Sequence, residues 1–269
     1  MITDWDDAYA NGAYIPGADE YVANWEISAS DYKITMNDAG RALLDQSYGA
    51  HPREAMEIFL PVEESKGLVV FVHGGYWRSR DRDLWLHLAA GSVARGWTVA
   101  MPGYILCPEV RIADITQNIA RAIEFAADKV DGPIHLAGHS AGGHLVARMG
   151  CEDVKLACAD RVKRILSISG VHDLRPMLHT EMNEDFQLTP EGAKAESPAL
   201  LAPDKGLNLT CWVGADERPE FVRQNALLSN IWTGFGINVS CVEEEGHNHF
   251  SVVESLAFAD GALTEALVG

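Results

Sequence analysis

From residue 54 onward, short apolar runs rich in β-branched residues alternate with stretches of helical periodicity. No other feature of the chain restricts its fold as much. EAMEIFL (54–60), LVVFVH (68–73), WTVAMP (97–102), PIHLAG (133–138), RILSIS (164–169), LNLTCWV (207–213) and INVSCV (237–242) read as strands. Between and after them, residues 83–95, 111–129, 217–231 and a stretch from about 250 carry apolar residues at helical spacing. Ile112, Ile115, Ile119, Ile123 and Ala126, for example, fall on one stripe. Strands that alternate with helices need crossover connections, so the pattern predicts an α/β fold: a mainly parallel central sheet flanked by helices on both faces.

Two segments depart from the alternation. Residues 171–206 are long, polar and Pro-containing, and are expected to form short helices as a small cap over one end of the sheet. Residues 1–50 carry Trp5, Tyr9, Tyr14, Tyr21, Trp25 and Tyr32 among helical fragments, which suggests an N-terminal extension packed on the core. The expectation is a single domain over 1–269.

Composition excludes several classes. The 269 residues include 39 Asp and Glu against 21 Lys and Arg, a formal net charge of −18 that disfavours nucleic acid as a partner. At 47% apolar residues the chain can build a large core without staples, so disorder is excluded. The N-terminus lacks the features of a secretory signal, and no stretch approaches the ~18 apolar residues of a membrane span, so a cytoplasmic protein without a membrane partner is expected. Cys107, Cys151, Cys158, Cys211 and Cys241 are scattered without a CxxC pair. All five are expected to be reduced and buried.

The chemistry-bearing motifs sit at strand ends. Gly138-His139-Ser140-Ala141-Gly142 is a G-x-S-x-G sequence between an expected strand and an expected helix, the context of a nucleophile elbow. Small flanking residues let Ser140 project from a sharp turn, and Gly143 relieves crowding further. His73-Gly74-Gly75-Tyr76-Trp77 follows its own strand. There, backbone N–H groups of Gly74, Gly75 and Tyr76 can join that of Ala141 in an oxyanion hole, since glycine lets the backbone approach a developing charge.

A serine nucleophile needs a base and an acid, expected in the chain order Ser, Asp/Glu, His. Asp216 and Glu217 follow LNLTCWV, and Asp216 is preferred as nearer the strand end. Asp173 is the other candidate acid, although a helix N-cap suits it better. His247 and His249 follow INVSCV. His135 and His144 read as core residues, His139 as shaping the elbow and His73 as bracing its turn. No HExxH pattern exists and no histidine cluster stands at a recognisable ligand spacing on a helix, so neither a metal nor another cofactor is expected. Arg78, Arg80 and Arg82 follow HGGYW. They either form a solvated loop with Asp81 and Asp83 or supply a counter-charge for a substrate carboxylate.

Taken together, HGGYW, GHSAGGHL and the Ser-Asp-His order resemble the α/β-hydrolase fold, specifically its kynurenine formamidase (arylformamidase) branch near the hormone-sensitive-lipase-like esterases. SYGAHPREAMEIFLP, GYILCPE, SGVHDLRP with LTPEGAKAESP, VGADERPEFVRQ and HNHFSVVESL extend the resemblance over about residues 46–265. Two departures are Cys107, where the family commonly has Ala, and the arginines after HGGYW. The resemblance implies Ser140 as nucleophile, Asp216 as acid and His249, rather than His247, as base, since the base precedes Phe. It further implies a substrate such as N-formyl-L-kynurenine, from tryptophan degradation; Tyr76 and Trp77 are candidates to flank its ring, with core packing an equally good use for Trp77. A carboxylesterase or thioesterase of short acyl groups is the competing reading, and a non-catalytic binding protein on a hydrolase scaffold a remote one. Nothing in the sequence sets the oligomeric state, and a homodimer is compatible with it.

Overall fold

The computed structural model describes residues 2–269. Its strands are β1 (Ala42–Ser47), β2 (Ala55–Phe59), β3 (Leu68–Val72), β4 (Thr98–Pro102), β5 (Ile134–His139), β6 (Val162–Ile168), β7 (Asn208–Gly214) and β8 (Asn238–Glu244). They form one sheet in the order β1-β2-β4-β3-β5-β6-β7-β8. β1 and β2 run antiparallel to their neighbours, whereas β4 through β8 pair in parallel. Every residue of β3 and β5 is buried, the mark of parallel strands covered on both faces.

Successive residues of β3 feed opposite layers. Val70 and Val72 join the core that also holds Ile119 and Ile123 of one helix, Leu145 of a second and Trp232 of a third. Those helices span Ile112–Ala127, Ala141–Arg148 and Pro219–Thr233. Val69 and Phe71 join the opposite core with Trp25, Trp85 and Leu263. The Ile112–Ala127 helix buries the stripe read from sequence, and its first turn is closed by Asp114, whose Oδ2 accepts from the Arg111 N–H at 2.9 Å.

The structure corrects several expectations. A strand precedes residue 54: β1 pairs with β2 at the sheet edge. Its residues alternate between half-buried and exposed, and its register against β2 shifts between Leu43 and Gln46, where Asp45 adopts φ 50. The stretch 83–95 divides into a 3-10 helix, Arg82–Ala89, and a short α-helix, Ala90–Ala94. The last stretch divides likewise into Ser251–Ala257 and Ala262–Val268. Residues 171–206 contain four short helical pieces. All five cysteines are free, but Cys241 is exposed, because β8 is an edge strand with an open face. Among the described residues no helix is long and apolar enough to cross a membrane.

The N-terminal segment is tied to the helix after β7. Tyr9 is buried; its hydroxyl donates to Glu220 Oε1 at 2.7 Å and accepts from Gln224 Nε2 at 2.8 Å. Its ring meets Phe221 edge-on at 5.7 Å. Asp7 pairs with Arg218 at 2.5 Å, and Trp5 stacks on His179. Residues 4–15 thus form a strap seated across the carboxyl ends of the strands.

Five of the six buried histidines are held neutral by burial, which predicts an acid-labile fold. Burial lowers His73 and His135 to about 4, His144 and His172 to about 3, and His139 well below 6.5, so all are neutral in the native state. Unfolded, each titrates near 6.5. Below that pH the unfolded chain therefore binds more protons, and stability falls with pH until the native values are reached. Each group contributes a slope approaching about 1.4 kcal/mol per pH unit. Calorimetry should show a Tm that is level above about pH 7 and drops by about 10 °C or more between pH 6.5 and 5. A Tm that stays level down to about pH 5 would contradict the neutral-histidine account.

Candidate active site

Four strand ends at one edge of the parallel sheet supply the site. Ser140 follows β5 directly and adopts φ 57, ψ −118, a strained conformation for a non-glycine residue. Its N–H donates to the Ile168 carbonyl at 2.8 Å, which locks the turn onto β6. The turn is tight enough to exclude side chains on either side. A Cβ at Gly138 would lie 2.2 Å from the Gly142 carbonyl oxygen, and one at Gly142 would lie 1.9 Å from that of Val72.

The loop after β3 approaches this turn. A Cβ on Gly74 would come within 3.0 Å of the Ser140 Cβ. Gly75 adopts φ 119, a conformation glycine tolerates, and its carbonyl accepts from the N–H groups of Arg78 and Ser79. Tyr76 and Trp77 adopt φ 51 and φ 56. Among the described residues, no group accepts from the backbone N–H of Gly74, Gly75, Tyr76 or Ala141, and Gly75 and Tyr76 line the cavity beside Ser140. The Tyr76 hydroxyl donates to the Tyr9 carbonyl and accepts from Asn11 Nδ2 at 2.8 Å, fastening the loop to the N-terminal strap.

His249, after β8, is buried and bonded through Nδ1 to Glu217 Oε2 at 2.5 Å. An ionised carboxylate only accepts, so Nδ1 carries a proton, and in the neutral imidazole Nε2 is the nitrogen with the lone pair. The other carboxylate oxygen, Oε1, accepts from Ser169 Oγ at 2.5 Å and from the Gly214 N–H at 2.9 Å. His139 Nε2 donates to the His249 carbonyl at 2.9 Å, and the two imidazoles lie 4.7 Å apart. Burial first, and the adjacent His249 second, hold His139 neutral.

The expectation for the acid is corrected. Asp216 is solvent-exposed, and its backbone N–H, not its carboxylate, bonds the segment before His249, donating to the His247 carbonyl at 3.0 Å. Gly214 to Glu217 form a tight turn closed by the Glu217 N–H on the Gly214 carbonyl at 3.2 Å. Its middle residues, Ala215 and Asp216, face solvent, and the chain returns inward only at Glu217. Nearness to the strand end was thus a poor guide, and the longer Glu side chain reaches the imidazole from the turn's far corner. Asp173 is paired with Arg175 at 2.8 Å. His247 is half-exposed and contacts Ser251 and Glu244.

Ser140, His139 and His249 line a cavity of about 280 Å³ with Gly75, Tyr76 and Asn11. Trp25, Trp85 and Phe250 form its aromatic wall, and Arg80 stands on its rim. Of the two uses open to Trp77, the structure shows packing. Trp77 is fully buried away from the cavity, its Nε1 donating to His144 Nδ1 at 3.1 Å while its ring packs on Phe186. It therefore anchors the loop and offers no surface to a ligand. Arg78 is engaged by Asp185 at 2.6 Å, and Arg82 is buried against Glu57 and Asp45. Only Arg80 of the three lines the cavity, with no side-chain partner among the described residues. A larger hollow of about 580 Å³ also touches Arg80, but it is lined by Lys33, Arg53 and Asp83 and contains neither Ser140 nor His249.

Comparison with known proteins agrees with this fold. Residues 69–255 match the Alpha/beta hydrolase family. The chain is 29% identical over 240 residues to a kynurenine formamidase of Danio rerio, covering 85% of this chain and 81% of that one. It is 26% identical over 246 residues to the kynurenine formamidase of Drosophila melanogaster, covering 85% and 77%. A crystal structure described as a putative thioesterase from Silicibacter sp. TM1040 superposes with a TM-score of 0.93 at 46% identity, covering 98% of both chains. The chain is a hydrolase that belongs to the alpha/beta hydrolase family and resembles its kynurenine formamidases.

Proposed function

We propose that this protein is a serine hydrolase that removes a small acyl group through an acyl-enzyme, and that its substrate is an aryl formamide of the N-formyl-L-kynurenine type. The observation that carries the mechanism is the buried Glu217–His249 pair opening onto the cavity that Ser140 lines. Ser140 Oγ attacks the acyl carbonyl while His249 Nε2 takes its proton. Glu217 holds the imidazole in the useful tautomer and stabilises the imidazolium. The N–H groups of Ala141, Gly75 and Tyr76 receive the oxyanion, each worth roughly 10²–10³ in rate. His249 then protonates the departing amine, and water repeats the cycle on the acyl-Ser140 ester.

Two features favour a formamide of an aromatic amino acid. The aromatic wall of Trp25, Trp85 and Phe250 suits a single ring, and Arg80 offers a counter-charge to a carboxylate at the rim. The similarity to kynurenine formamidases supports the same choice. A short-chain thioesterase or carboxylesterase is the second reading, favoured by the relative described as a putative thioesterase.

Glu217→Gln should lower kcat by about 10³–10⁴ with N-formylkynurenine, as loss of the orienting acid does in other triads, while Asp216→Asn stays within about threefold. The reverse ranking would return the acid role to Asp216. Ser140→Ala should abolish turnover, and wild-type activity indistinguishable from that variant would revive the binding-protein reading. Purified protein offered N-formyl-L-kynurenine and short p-nitrophenyl esters separates the two substrate classes, since ester turnover without deformylation would sink the formamidase proposal. Arg80→Ala should raise KM about tenfold or more for carboxylate-bearing substrates only. An equal rise for neutral esters would assign Arg80 to loop structure.

A further inference from the structure

We infer that Asn11, on the N-terminal strap, is a specificity-determining residue whose side-chain carbonyl oxygen accepts a hydrogen bond from an N–H group of the substrate. The inference rests on the reading that the cavity beside Ser140 is the substrate site.

The hydrogen-bond bookkeeping around Tyr76 fixes which way the Asn11 amide faces. The Tyr76 hydroxyl has one hydrogen, and it points to the Tyr9 backbone carbonyl, a group that can only accept. Asn11 must therefore present its NH₂ to the hydroxyl oxygen, as observed at 2.8 Å, and cannot be flipped without losing that bond. Oδ1 is left over. Asn11 is only 7% exposed and lines the cavity, and Oδ1 is buried with no partner among the described residues.

A buried amide oxygen without a donor is unusual in a native protein and calls for one from outside the chain. The other unpartnered atoms of this wall are weaker candidates for reading a donor. Those of Trp25 and Trp85 are indole N–H groups, themselves donors, and His139 Nδ1 lies beside the Gly74 backbone. Of the residues lining this cavity, Asn11 carries the unpartnered amide oxygen; it also borders a smaller hollow of about 230 Å³ beside Glu217 and Arg218. A site built to bond a substrate N–H discriminates strongly against analogues that lack it. The donor is either the formamide N–H or an ammonium group of the leaving group, and the substrate set distinguishes them.

The test compares kcat/KM of wild type and Asn11→Leu on N-formyl-L-kynurenine, on 2-formamidoacetophenone, which keeps the formamide N–H but lacks the amino acid group, and on phenyl formate, which has no N–H. The formamide-to-ester ratio should fall about 10–100-fold. A fall for both formamides identifies the formamide N–H, and a fall for N-formylkynurenine alone identifies the ammonium. An unchanged ratio overturns the inference, whether through equal losses, which would make Asn11 a brace for Tyr76, or through no loss, which would leave Oδ1 to solvent. Asn11→Asp, which keeps an acceptor, should retain the preference for N–H substrates if the Leu variant fails to fold. If wild type cleaves no formamide, the formamidase reading fails separately. The ratio is then measured between an ammonium-bearing phenyl ester and its deaminated analogue, where a fall in Asn11→Leu supports the acceptor role and an unchanged ratio overturns it.

Discussion

The site depends on one buried carboxylate. Glu217 sits in a water-poor region at the ends of β6 and β7, where an unpaired charge would be costly. Three donors satisfy it: the Gly214 N–H, the Ser169 hydroxyl and His249 Nδ1. Each donor ties down a different segment. Gly214 closes the turn that faces Asp216 outward, Ser169 ends β6 at φ 53, and His249 heads the loop after β8. The carboxylate thus sets the imidazole tautomer and joins three strand ends into one rigid unit. His139 adds a second fastening by bonding the His249 backbone from the elbow itself.

The remaining parts of the site are positioned by packing against backbone. The elbow works only because Gly138 and Gly142 let the chain fold back on itself beneath Ser140. The loop after β3 is held from both sides: Trp77 is bonded to His144 inside the core, and Tyr76 to Tyr9 and Asn11 on the strap. Both tyrosine and tryptophan contribute an apolar body and one polar atom with a fixed partner, which suits them to locating a loop. The N-terminal segment, which no hydrolase chemistry requires, thereby becomes a wall of the cavity.

The sequence made the sheet, the Ser140 elbow and the Gly74–Gly75 loop legible, because each is written in contiguous residues: β-branched runs, a glycine-flanked serine, a glycine pair after a strand. Features that depend on which way a turn faces were not. Asp216 and Glu217 are adjacent, and only the closed turn from Gly214 decides which carboxylate enters the core. The fate of Arg78, Arg80 and Arg82 was hidden for the same reason, since Asp185 and Glu57, far away in sequence, take two of the three. β1 is obscured by its own composition, since ALLDQS has no β-branched residue and no fully buried position. Asn11 carries no motif at all, and its place in the cavity follows from Tyr9 binding Glu220 and Gln224 more than 200 residues later.

The pairing of His249 with Glu217 is tested most directly by proton NMR of the resting protein, with no substrate involved. A short, buried imidazole–carboxylate hydrogen bond should give one resonance far downfield of the amide protons, coupled to an imidazole ¹⁵N and slow to exchange. Glu217→Gln should remove that resonance or shift it upfield, while Asp216→Asn leaves it in place. Its loss in Asp216→Asn together with its survival in Glu217→Gln would contradict the assignment on which the proposed mechanism rests.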